Sequence, residues 1–195
     1  MIRTPRQPKV PPMPEFSQRI PAGDTRTRDV CDACGYVAYE NPKVVVGAVV
    51  AHEGQVLLCR RAIQPRLGFW TLPAGYLELQ ETVEEGARRE AHEEAEARIV
   101  LDGVLAVYSI SRIGQVQVIF RAGFDGPARF AAGEESLEVR LFAWDDIPWD
   151  AVAFPSVRWA LEDWRRTAGS ALGAPATNPV EDPRGVNRLP AGAAL

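Results

Sequence analysis

The segment "GYLELQETVEEGARREAHEEAEA", from Gly75 to Ala97, constrains the fold more than any other stretch of the chain. It carries eight glutamates and an adjacent arginine pair, with small apolar residues threaded between them. Thr82 can cap a helix, and Glu85, three residues on, completes a capping box. The spacing therefore predicts a helix from there to about Ala95. Each helical residue turns through about 100°. Glu90 and Glu94 are then neighbours, with Glu93 beside them, all within an arc of roughly 100°. Val83, Ala87, Ala91 and Ala95 form a stripe of small residues next to that arc. The stripe sets the acidic edge at a packed surface, where low dielectric strengthens a charge site. Carboxylates so placed repel by a few tenths of a kcal/mol per pair. A cation reverses that cost, and hard ions such as Mg²⁺ prefer carboxylate oxygens. On spacing alone, a solvated acidic helix and a metal site stand about level.

The flanking pattern mixes strands with helices. "KVVVGAVVAH" is continuous and β-branched, as in a strand buried on both faces. "EGQVLLCRR" follows at once, with Glu53-Gly54 as a hairpin turn. "FWTLPAGYL" reads as a short strand or extended loop interrupted by Pro73 and Gly75. "IVLDGVLAVYSIS" and "QVQVIFRAGF" read as strands joined through a turn at Gly114, and "LEVRLFAW" as another strand. "PSVRWALEDWRRTA" begins with proline at a first-turn position and has helical spacing. The expected fold class is α/β (α+β): a mixed sheet sandwiched between helices.

Composition limits what else the chain can be. Its 195 residues suit one globular domain with extensions. A net charge of −4 argues against non-specific binding to nucleic acid or an anionic membrane. No apolar run approaches the roughly 20 residues of a membrane span, and the N-terminus lacks the apolar core of a secretory signal. Three cysteines do not make a disulfide framework and point to a reducing, cytoplasmic setting. The ends differ from the middle. Residues 1–42 read as a proline-rich arm followed by a cysteine-bearing segment, 43–168 as the main domain, and 169–195 as a disordered tail rich in Ala, Gly and Pro. On that reading, removing the tail leaves stability unchanged.

Gly75, five residues, Glu81, seven residues, then Arg89-Glu90-Ala91-His92-Glu93-Glu94 resembles the Nudix box, the signature of the Nudix hydrolases. "GFWTLPAG" resembles the approach to that box. The resemblance implies a Nudix fold and hydrolysis of a nucleoside diphosphate linked to another group. It implies Glu90 and Glu94 as the main ligands of Mg²⁺ or Mn²⁺. Glu93 would be a third ligand or the base that activates water, and the Gly75 carbonyl would complete the shell. Glu81 and Arg89 would orient the cluster. One position departs: the box usually has glycine where this chain has Glu96, at the helix end.

Upstream, "IPAGDTRTRDVCDACGYVAYENPKVVVG" resembles the last part of a zinc ribbon that precedes the Nudix domain in some members, including ADP-ribose and FAD pyrophosphatases. Cys31 and Cys34 form its knuckle. A structural zinc needs four ligands, the matching upstream cysteine pair is missing, and bound structural zinc is not expected. A homodimer is.

Further site candidates follow from residue type. Arg60, Arg61, Arg66 and Arg112 can hold phosphates. Tyr76, Trp70, Tyr108 and Phe120 can stack a base or flavin. An acid from "AAGEESLE", with Glu138 first and Glu134 or Glu135 as neighbours, can serve as base. The expected partner is a small nucleotide-type substrate: ADP-ribose first, then FAD or NADH. The rival reading is a catalytically silent Nudix domain used as a ligand sensor or interaction module. It predicts loss of the box acids, and this chain retains Glu81, Glu90, Glu93 and Glu94.

Overall fold

The computed structural model describes residues 14–180. The chain falls into two compact units, Met1–Asn41 and Pro42–Leu195. Most of the N-terminal arm and the last part of the tail lie outside the described residues.

The first unit is a small antiparallel sheet of β1 (Phe16–Arg19), β2 (Arg28–Cys31) and β3 (Val37–Ala38), in that order. Short strands hold little apolar surface, so polar clasps do much of the fixing. Asp24 accepts from the amides of Thr25 (2.6 Å) and Arg26 (3.1 Å) and from Arg28 Nε (3.0 Å). Those partners, Arg28 first, hold its carboxyl below the usual range. Asp32 accepts from Ser17 Oγ at 2.7 Å across the sheet.

In the second unit, β4 (Lys43–His52) is the axis. It pairs in parallel with β9 (Gln115–Phe124) and antiparallel with β5 (Gln55–Arg61). With β8 (Ile99–Ile110) and β10 (Ser136–Phe142), the strand order is β10-β5-β4-β9-β8. Two short strands sit off this path: β6 (Trp70–Thr71) pairs β5, and β7 (Ala74–Tyr76) pairs β4. Helix α1 (Val83–Ala95) covers one face and α2 (Pro155–Thr167) the other. This explains why β4 has no polar face. Val46, Ala48 and Val50 pack with Ala87, Ala91 and Ala95 of α1, while Val49 packs with the layer of Val157, Leu161 and Trp164 of α2. β5 alternates the same way, with Leu57 and Cys59 toward α1 and Val56 and Leu58 toward α2. No helix among the described residues is long and apolar enough to cross a membrane.

Most expected elements are present. The capping box forms, with Glu85 N to Thr82 Oγ1 at 3.2 Å and Thr82 N to Glu85 Oε2 at 2.8 Å, and α1 ends at Ala95. Glu96 takes the left-handed conformation (φ 48°) at the helix C-cap. This is a conformation that glycine adopts with less strain than any other residue.

The tail reading is corrected for residues 169–180. Ala176 bridges to β8, accepting from Val107 N at 2.8 Å and donating to Leu105 O at 2.9 Å. Arg121 Nη1 holds the carbonyls of Thr167 (3.0 Å) and Ser170 (2.8 Å). Leu172 packs on the α2-side core beside Gly103, whose φ of 153° and missing Cβ give it room. Composition underestimated this segment because one leucine and backbone pairing to an unoccupied strand edge offset the ordering cost. Ending the chain after Ala168 should therefore lower Tm by roughly 5–10 °C, the loss of one partly buried leucine and several hydrogen bonds. Thermal melts check this, and an unchanged Tm would restore the loose-tail reading. Glu96→Gly should raise stability by about 0.5–1 kcal/mol, as relief of a left-handed non-glycine residue; denaturant titration measures it.

Candidate functional site

The capping box fixes where α1 starts, and so places Glu81 just before the helix and Arg89 two turns in. All five guanidinium N–H groups of Arg89 are engaged. Nε donates to Glu81 Oε2 at 3.0 Å, and Nη2 donates to Glu81 Oε1 at 2.7 Å and to the Tyr76 carbonyl at 2.9 Å. Nη1 donates to Glu90 Oε1 at 2.7 Å and to Glu93 Oε2 at 2.8 Å. Glu81 also accepts from Glu78 N at 2.7 Å. Bonding to Arg89, and then to that amide, drops the Glu81 carboxyl to about 2. Three acids of the box are thus gathered on one cation.

Glu94 is held differently. It is 5% exposed and accepts from Ala74 N of β7 at 3.0 Å. Burial outweighs that bond and pushes its carboxyl up to about 8. Glu90, 8% exposed, is raised for the same reason. Gly75 lies against Glu90, and a Cβ there would overlap the Glu90 carboxylate. β7 and the acidic face of α1 are therefore as close as backbone and side chain allow.

Gly75, Arg89, Glu90, Glu93 and Glu94 line a cavity of about 1110 Å³. That volume is large enough for a dinucleotide-sized ligand. Leu72, Ile110, Ile113, Ile119, Phe154 and Trp159 also line it, as do Arg61 and Arg112. Arg61 Nε donates to Pro65 O at 2.8 Å, and its guanidinium lies 5.4 Å from the Phe154 ring centroid.

The structure brings together Gly75, Tyr76, Glu78, Arg89, Glu90, Glu93, Glu94 and Arg112 on this cavity, with Glu81 behind Arg89. Tyr76 is half-exposed, and its hydroxyl accepts from Gln115 Nε2 at 3.2 Å. Several expectations are corrected. Arg60 does not line the cavity: its Nε is tied to Gly68 O at 3.0 Å. Glu138 does not line it either. It stands opposite Arg60 in the β5–β10 register, so the two share a face, with Arg60 Nη1 3.9 Å from Glu138 Oε2. Arg61 and the neighbouring acids Glu134 and Glu135 reach the cavity instead. Arg66 lies over Phe69. Trp70, Tyr108 and Phe120 are core residues, and Tyr108 Oη donates to Asp163 at 2.6 Å. Phe154, Ser156 and Trp159 also line the cavity, and no local spacing in the sequence marks them. They belong to the start of α2, and only the packing of that helix brings them to the cavity.

Among the described residues, no three His, Cys, Asp or Glu side chains are gathered tightly enough to hold a metal as they stand. At the acidic edge this reflects Arg89, which holds Glu90 and Glu93, while Ala74 N holds Glu94. The donors are all carboxylate oxygens beside a close backbone strand, a set that fits a hard divalent ion. In the first unit, Gly35 N donates to Cys31 O at 2.9 Å to close the knuckle. The amides of Cys34 and Ala33 point at the Cys31 thiol and hold it below its usual range. Two thiols make half of a tetrahedral zinc set.

A strand-flanked acidic helix, entered through a capping box and clasped by its own arginine, defines a Nudix-type site. The chain belongs to the Nudix family: the NUDIX domain matches residues 41–160, and the family described as Nudix N-terminal matches residues 14–40. It is similar to a solved NUDIX hydrolase from Nitrosomonas europaea, with 44% identity, 85% of this chain and 92% of that one covered, and a TM-score of 0.77. It is 38% identical over 92 residues to a MutT-like protein of Streptomyces ambofaciens, covering 47% of this chain and 58% of that protein. It is 30% identical over 117 residues to an ADP-ribose pyrophosphatase of Methanocaldococcus jannaschii, covering 58% of this chain and 69% of the relative.

The raised Glu94 carboxyl has a consequence for stability. The folded protein keeps a proton that the unfolded chain releases near the ordinary value of 4.5, until pH passes about 8. Metal-free protein should therefore lose stability as pH rises between those values and level off above them. Melts in chelator from pH 5 to 9 test this, and Glu94→Gln should flatten the slope.

Proposed function

We propose that the protein hydrolyses the pyrophosphate linkage of a nucleoside diphosphate joined to a second group, with ADP-ribose the first substrate and FAD or NADH next. The observation that carries this reading is the Arg89 clasp. It holds Glu81, Glu90 and Glu93, the last two lining a cavity of dinucleotide size together with buried Glu94. The identity to an ADP-ribose pyrophosphatase supports the choice of substrate.

Mg²⁺ or Mn²⁺, when bound, would neutralise phosphate oxygens and lower the pKa of water. Glu90, Glu94 and the Gly75 carbonyl would hold it. Glu94 would give up its proton on ligation, and the Ala74 amide would keep one of its oxygens oriented. Glu93, whose side chain is 57% exposed, faces the cavity and is placed to ligate or to accept a proton from the attacking water. Glu134 and Glu135 border the same space and are the alternative proton acceptors. Arg61 and Arg112 are placed to meet phosphate charge, while Phe154 and Trp159 add apolar wall on which a base could rest. A silent sensor domain predicts loss of the box acids, and this chain keeps Glu81, Glu90, Glu93 and Glu94, so the enzyme reading is preferred.

The test is a product-release screen over ADP-ribose, FAD, NADH, coenzyme A and nucleoside triphosphates, with Mg²⁺ and with Mn²⁺. Binding without turnover of any of them would favour the sensor. For the preferred substrate, Glu94→Gln should lower kcat by at least about a hundredfold, near 2.7 kcal/mol of barrier. Near-normal turnover at saturating Mg²⁺ would remove Glu94 from the ligand set.

A further inference from the structure

The segment after α2 returns along β8, the last strand in the sheet order, and ends in a two-point contact. Asn178 Oδ1 accepts from Ser109 N at 2.8 Å, and Asn178 Nδ2 donates to Ser109 O at 2.9 Å. A side-chain amide here occupies both backbone groups of one residue, as a paired strand would. Two residues earlier in the segment, Ala176 pairs with Leu105 and Val107. The contacts run along β8 toward its C-terminal end, and the next residues are cavity wall. Ile110 follows Ser109 directly, and Arg112 and Ile113 lie in the 3-10 turn Ser111–Ile113 that closes on Gly114. Ser109 itself is exposed, so without Asn178 its amide and carbonyl would face water at the point where the strand becomes the turn.

We infer that Asn178 is a positioning residue for the substrate cavity. It clamps Ser109 and thereby sets the course of Ile110 and of the turn carrying Arg112 and Ile113. It has no place among the residues that line the cavity and acts through the wall rather than on the ligand. The effect on catalysis rests on the pyrophosphohydrolase reading above; the effect on the wall does not.

Two measurements on Asn178→Ala and Asn178→Asp separate these. Amide exchange at Ile110–Ile113 should quicken by at least about tenfold in Asn178→Ala, with the α1 amides unchanged. It should quicken less in Asn178→Asp, which keeps the bond from Ser109 N and loses the other. The KM for ADP-ribose should rise about five- to tenfold in Asn178→Ala, with kcat within about twofold and the Mg²⁺ dependence unmoved. Unchanged exchange at 110–113 overturns the clamp. Faster exchange with an unchanged KM shows that it serves stability alone, which overturns the positioning role. If no nucleoside diphosphate derivative is turned over by the wild type, the proposed function fails, and exchange decides the clamp by itself.

Discussion

Gathering like charges is the physical problem at the centre of this molecule, and Arg89 is its solution. Three glutamates placed within one helical arc and its entry repel one another. A single guanidinium, with five donors in a rigid plane, takes an oxygen from each and the Tyr76 carbonyl as well. That last bond matters for the rest of the fold. It ties the acidic helix to β7, the short strand that also carries Gly75 and, through Ala74 N, holds Glu94. Lysine would not replace it, because one ammonium cannot present a two-point contact to Glu81 while reaching Glu90 and Glu93.

The close approach that Arg89 needs is prepared by the stripe of alanines. Ala87, Ala91 and Ala95 let α1 sit against Val46, Ala48 and Val50 with no large side chain between. The acids at the edge of that stripe are drawn down with it. Glu94 ends almost fully buried beside a wall of apolar residues, and this is why its proton is held so tightly. Had the stripe been leucine, the helix would stand farther off. The same acids would then be solvated with ordinary affinities for protons and metal. Core packing and site electrostatics are thus set by the same residues.

How far the sequence reveals all this depends on whether a feature is local. The capping box, the end of α1, the hairpin at Glu53-Gly54 and the turn at Gly114 are decided by residues a few positions apart, and each forms where the spacing puts it. Features set by pairing between distant segments are harder to read. Arg60 and Arg61 are equal as sequence, but strand alternation sends one to Glu138 and the other to the cavity. Glu138 and Glu135 are three residues apart, and the register shift between Ser136 and Glu138 separates their surroundings. Phe154 and Trp159 become site residues only when α2 docks. The alanine- and glycine-rich segment after α2 carries no periodicity at all, and its place is determined by the open edge of β8.

The departure at Glu96 shows how a local defect can be absorbed by a distant segment. A helix end leaves carbonyls without intrahelical partners, and a left-handed glycine is the usual way to fold the chain back over them. Glu96 turns back without glycine, and its amide still reaches Ala91 O and His92 O. The carbonyls beyond those are met from elsewhere: Ala131 N donates to Ala95 O at 2.9 Å, and Gly133 N to Glu94 O at 3.2 Å. That places the backbone at Gly133 against the end of α1, so tightly that a Cβ would strike the Glu93 carbonyl. The loop that finishes the helix is also the one that delivers Glu134 and Glu135 to the cavity. Their position therefore depends on the C-terminus of α1, as the position of Glu81 depends on its N-terminus. The box acids and the loop acids meet because the two ends of one helix are each closed by the segment that carries them.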